Sequence, residues 1–137
     1  MPPDAARIAE TREWLSKAQI DLRAADHDAT ADPPITADMV FHAQQAVEKT
    51  LKAFLCWHDV PLRKTHNLVE LGEQCAGIEG SLEPLLRQAA VLTEYAWKFR
   101  YPGYAEEPEL AEADEAVALA RAVCQAVLDC LPDEVGS

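Results

Sequence analysis

The sequence predicts an all-α protein: an up-and-down antiparallel bundle of four long helices and one short helix. It forms a single domain over residues 1–137, with its core at about 7–131. Three observations lead there. The stretch Asp38 to Asp59, DMVFHAQQAVEKTLKAFLCWHD, has neither Pro nor Gly, and its apolar residues recur three and four apart. The composition is 49% hydrophobic with only five Gly, which favours helices over a turn-rich β fold. Pro33-Pro34 and Pro102-Gly103 punctuate the periodic stretches and mark the connections.

The elements follow in order. Ile8, Thr11, Leu15, Ala18, Leu22 and Ala25 keep a helical period from Arg7 to about His27, with Trp14 beside them. Residues 28–36 read as a loop, with Thr36 as the N-cap of the second helix and Asp38 at its positive end. That helix turns Val40, Ala43, Val47, Thr50, Leu51 and Phe54 to one side and stops near His58 or Asp59, before Pro61. Its 22 residues span roughly 33 Å at 1.5 Å per residue, enough for the spine of a small domain. Asn67 and Glu70 form a capping-box-like start for a short third helix, Leu68 to about Ala76, ended by Gly77 and Gly80. Ser81 is expected to cap a fourth helix with Leu82, Leu85, Ala89, Leu92, Ala96 and Phe99 in its core stripe. The fifth starts near Pro108 and runs to Pro132, and the last residues, DEVGS, read as loose. Alanines at 43, 46, 53, 89, 96, 113 and 120 allow close helix approach.

Charge narrows the function. The chain carries −12, and residues 104–137 hold nine acids against the single base Arg121, a net −8. A non-specific grip on nucleic acid needs several bases facing phosphates, so such binding is not expected. No apolar run reaches a membrane span and no signal peptide is visible, which predicts a cytoplasmic protein with reduced cysteines at 56, 75, 124 and 130. Cys56, His58, His66 and Cys75 lack zinc-finger spacing, and no phosphate-loop or nucleophile-elbow motif occurs. No metal, cofactor or catalytic residue is assigned.

Three polar features remain. His42, Gln45, Lys49 and Lys52 form one stripe on the second helix, with Glu48 beside them and Phe41 at its edge. The stripe fits a solvated surface, a subunit interface, or a ligand wall in which Lys49 and Lys52 counter a phosphate. Arg63, Lys64, Thr65 and His66 lie just before a helix N-terminus, where free N–H groups attract anions; a solvated capping loop fits equally. Tyr95, Lys98, Arg100, Tyr101 and Tyr104 surround the fourth connection. They suit either nucleotide stacking or a packed corner in which Arg100 pairs with Glu106 or Glu107.

Phe41-His-Ala-Gln-Gln-Ala-Val-Glu-Lys-Thr-Leu-Lys-Ala-Phe-Leu resembles the second-helix signature of HEPN domains. Thr65-His66-Asn67-Leu68 resembles their T-H-[DN]-L step, and Arg100-Tyr101-Pro102 the R-Y-P that follows the fourth helix in one prokaryotic subgroup. The resemblance spans about residues 10–130. It implies a helical bundle, usually a homodimer, with a role around nucleotides or RNA. It also implies a possible partner, a small nucleotidyltransferase, in toxin–antitoxin-like modules. Many HEPN toxins are ribonucleases with an Arg followed four to six residues later by a His. Here the permitted positions after Arg100 hold Ala105, Glu106 and Glu107, while Arg23 to His27 and Arg63 to His66 are too closely spaced. The expectation is therefore a non-catalytic protein that binds a nucleotide or docks a nucleotidyltransferase. Lys49, Lys52, Arg63, Lys64, His66 and Arg100 would meet the anion. Phe41, His42, Gln45, Glu48, Tyr101 and Tyr104 would line the pocket or dimer seam. The alternative is a ribonuclease toxin with a degenerate motif.

Overall fold

The Asp4 carboxylate accepts a hydrogen bond from the Arg7 N–H at 2.7 Å and so starts α1 (Ala5–Thr30). The structure, a computed structural model, describes residues 4–103 and 106–136, and every regular element among them is helical. α1 runs one turn past the expected His27. The Thr30 hydroxyl donates to the His27 carbonyl at 2.7 Å, and the Asp28 carbonyl accepts from the N–H groups of Ala31 and Ile35. These bonds close the last turn and place Asp28 inside the helix rather than in the loop.

α2 (Thr36–Trp57) also begins differently. Thr36 is its first helical residue and is buried; Ile35 holds the cap position and offers no side-chain bond. The helix is instead closed from Met39 N–H to the Ile35 carbonyl. At the other end Val60 N–H reaches the Leu55 carbonyl and Asp59 N–H the Cys56 carbonyl, with Asp59 at φ +59°. This is a Schellman stop, with Asp in the left-handed position that glycine fills most easily. α3 (Leu68–Ile78) is capped as expected, since Asn67 Oδ1 accepts from Val69 N–H at 2.9 Å, but it passes through Gly77 to end at Ile78.

The fourth rod is composite. A 3-10 turn (Gly80–Leu82), α4 (Glu83–Ala89) and a 3-10 helix (Ala90–Ala96) follow without a break. Ser81 lies within the first turn and its hydroxyl donates to Glu79, so it is not the cap. α5 (Leu110–Asp129) starts two residues after Pro108. The C-terminal segment, expected to be loose, forms α6 (Asp133–Gly136). Burial of Val135 and a 2.6 Å bond from Arg12 Nε to the Glu134 carbonyl hold it against α1.

Contacts step in opposite directions along α1 and α2: Asp21 meets His42 and Lys49, Trp14 lies beside Lys52, and Glu10 meets Cys56. The two helices are therefore antiparallel. α5 covers another side of α2, where Thr50 Oγ1 lies 3.1 Å from Cys124 Sγ. Phe54, Met39, Leu51, Leu55, Leu71 and Val123 are among the fully buried side chains, so α2 is the spine of the bundle.

Candidate functional site

Because α2 is central, its polar stripe is not a solvated face. Between Met39 and Cys56 only Phe41, His42, Gln45 and Lys49 are less than fully buried. Glu48, assigned from sequence to a pocket or dimer seam, and Lys52, assigned to an anion, are buried in the fold. Two groups of side chains make this burial tolerable.

In the first, the Asp21 carboxylate on α1 takes His42 Nδ1 at 2.8 Å on one oxygen and Lys49 Nζ at 2.6 Å on the other. His42 Nε2 lies 3.3 Å from Asp38. The hydrogen bond to Asp21 is the main reason the His42 pKa is raised, against the opposing effect of burial. In the second, Glu48 is held by Lys52 Nζ at 3.1 Å, Gln44 Nε2 at 3.1 Å and His66 Nδ1 at 2.7 Å. Gln44 also donates to the His66 carbonyl at 3.2 Å and accepts from Gln45 Nε2 at 2.7 Å. Lys52 lies over the Trp14 ring. Both lysines assigned to a phosphate are thus already neutralised by carboxylates.

The remaining cations lie at the edges of this face. Arg63 is exposed and pairs with Glu70. Lys64 and Arg100 are exposed, and none of the ion pairs among the described residues includes either of them. Arg100 does not pair with Glu106 or Glu107; its guanidinium lies 3.8 Å from the centre of the Phe41 ring, a cation–π stack. Phe41 and Glu48 are seven residues apart, about two turns and roughly 10 Å along the axis. Arg100 and His66 therefore flank one face of α2, with Gln45 between them. Tyr95 is buried and stacks on Phe99 rather than facing a ligand, and Lys98 pairs with Glu94. Phe99 has φ +68°, a costly backbone state for a bulky residue, next to the arginine that reaches α2. Tyr101 is exposed and Tyr104 lies outside the described residues.

Sequence reasoning missed Asp21, Gln44 and Asp28. Asp21 and Asp28 lie seven apart on α1 and point at α2, a heptad-spaced acidic pair inside an apolar seam that the apolar pattern hid. A groove of about 480 Å³ between α3 and α4 is lined by residues such as Leu68, Gly72 and Leu86, and its one cation, Arg87, pairs with Glu83. Among the described residues all four cysteines are free, and burial pushes the Cys75 thiol up to about 12. That thiol is inert at neutral pH.

A bundle of short-looped helices around one central helix, with a polar seam buried along it, defines an all-α helical-bundle domain. The family model of the HEPN domain matches residues 11–130, and the chain belongs to the HEPN domain family. No curated protein and no solved structure matches the chain. No helix among the described residues is long and apolar enough to cross a membrane.

Proposed function

We propose that the chain is a non-catalytic HEPN protein, a cytoplasmic homodimer in a toxin–antitoxin-like module. It binds a nucleotide, or the nucleotide-handling surface of a small nucleotidyltransferase, on the α2 face between Arg100 and His66. One observation carries this reading: in a chain of net charge −12, Arg100 lies against the spine helix and pairs with no carboxylate among the described residues. An exposed guanidinium held over an aromatic ring suits phosphate or a base. Lys64 adds charge at the His66 end, where Arg63 is paired with Glu70. Lys49 and Lys52 serve the fold, so the anion site is narrower than the sequence suggested.

Calorimetric titration of the full chain with ATP and AMP tests this. Arg100→Ala is expected to weaken binding by roughly tenfold or more, the worth of one charged hydrogen-bonding contact. Equal affinity in Arg100→Ala rejects the site.

The ribonuclease alternative draws on one specific feature. His66 Nδ1 is engaged by the buried Glu48, which leaves Nε2 outward, as in a general acid–base histidine oriented by a carboxylate. Metal-free cleavage of RNA by wild-type protein and loss of it in His66→Ala supports that reading. Intact RNA and unaffected growth on expression reject it.

A further inference from the structure

The loop between α1 and α2 brings three further groups together. One carboxylate oxygen each from Asp28 and Asp38 and a ring nitrogen of His42 all lie within 4.8 Å of one another. We propose that Asp28, Asp38 and His42 bind one divalent first-row transition-metal ion, which fastens the end of α1 to the start of α2.

Asp28 provides the first argument. It is only 8% exposed, and its Oδ2 is buried without any hydrogen-bond partner. A buried carboxylate oxygen without a donor is costly, and it faces a second carboxylate, Asp38. A metal ion would set positive charge between the two carboxylates in place of the His42 proton.

His42 provides the second. Its Nδ1 is held at 2.8 Å by Asp21, itself 5% exposed and fixed by Lys49 at 2.6 Å. That bond makes Nδ1 a donor, so in the neutral imidazole that a metal ion requires, Nε2, 3.3 Å from Asp38, is the ligating nitrogen, its proton released as the ion binds. Metal-bound histidines are oriented in this way, with a carboxylate on the nitrogen that does not ligate. Two donors each about 2.1 Å from a shared ion lie roughly 3 Å apart, close to the Asp38–His42 separation. Asp38 and His42 are four apart on α2 and so share a face. Asp28 arrives because α1 runs past His27, and its carbonyl is pinned by Ala31 and Ile35. Half-buried Asp38 leaves an opening to solvent and room for water as further ligands.

One imidazole and two carboxylates suit Mn²⁺, Co²⁺, Fe²⁺ or Zn²⁺ better than a thiolate-seeking ion such as Cu⁺. The ion would bind the folded chain and not the unfolded one, so it would raise the melting temperature as its concentration rises.

The test is titration of the reduced, chelator-treated full chain with Co²⁺. The expected result is saturation at one equivalent, visible d–d absorption without thiolate charge transfer, and a melting temperature that rises with Co²⁺. Asp28→Asn keeps the shape, and its amide donates to Asp38, so the chain folds. Its Co²⁺ affinity is expected to fall roughly tenfold or more. Asp21 is a positioning residue: Asp21→Asn should lower affinity about 10- to 100-fold with the stoichiometry still one. No saturable binding by the wild-type chain overturns the proposal and assigns the two carboxylates a shared proton instead. Wild-type affinity in Asp28→Asn, or a thiolate band, places the ion elsewhere and overturns it equally.

Discussion

Lys49 and Arg100 carry the same charge beside the same helix, yet they do different work. Lys49 rises from the α1–α2 seam and is bound by Asp21 from the neighbouring helix. Arg100 comes from the corner after the fourth rod, lies on Phe41 and meets no carboxylate among the described residues. The seam encloses its charges in pairs, where a lost partner leaves a buried ion or an unsatisfied amide. The corner presents its charge to solvent, where a lost side chain costs the fold little. Availability for a ligand depends on which carboxylates surround a cation, and burial multiplies the difference.

The sharpest way to break this contrast is Glu48→Ala. It removes the counter-charge of buried Lys52 and the acceptor of buried Gln44, and is expected to cost about 3–5 kcal/mol in urea unfolding. A loss under about 1 kcal/mol would show that water replaces Glu48, and that the seam resembles the corner after all. Asp21→Ala should cost less, about 1–3 kcal/mol, because Lys49 and His42 each keep some solvent contact.

A smaller effect is a pH dependence confined to the seam. Burial, then the nearby Asp38, pushes the Asp28 carboxyl up to about 6, against the pull of His42 and His27. The folded chain thus holds a proton that the unfolded chain releases near 3.8, so this group lowers stability as pH rises from about 4 to 6. With chelator present, Asp28→Asn should gain on the wild type across that window. His42 acts in the same sense: its raised pKa contributes stability below its ordinary value of 6.5, lost as pH climbs through the folded value. A constant difference between the two proteins from pH 4 to 6 would remove Asp28 as the cause. Smallest of all, Arg100→Ala should change stability by no more than about 0.5 kcal/mol while weakening nucleotide binding. A large loss of stability there would make the corner structural.

Local pattern made several elements legible. The period of Val40, Ala43, Val47, Leu51 and Phe54 marked the spine, and Asn67 marked the start of α3. The quoted stretches near Phe41, Thr65 and Arg100 marked the family. Glu48 and Lys52 misled, because a charged pair four apart on a helix looks the same wet or buried. Thr36 and Ser81 misled because a good capping residue does not cap when the chain closes its first turn elsewhere. The tail misled because Val135 finds a core that no local pattern announces.

By itself the chain's order of residues determined the long helices, their antiparallel succession and the family, since these depend on periods and turn signals a few residues long. Only the tertiary structure decided which cations are free. Asp21 reaches Lys49 across 28 positions, Glu48 reaches His66 across 18, and Arg100 crosses from another rod to Phe41. Such pairings are set by how whole helices pack, and packing brings together residues whose separation along the chain carries no information about their distance in space.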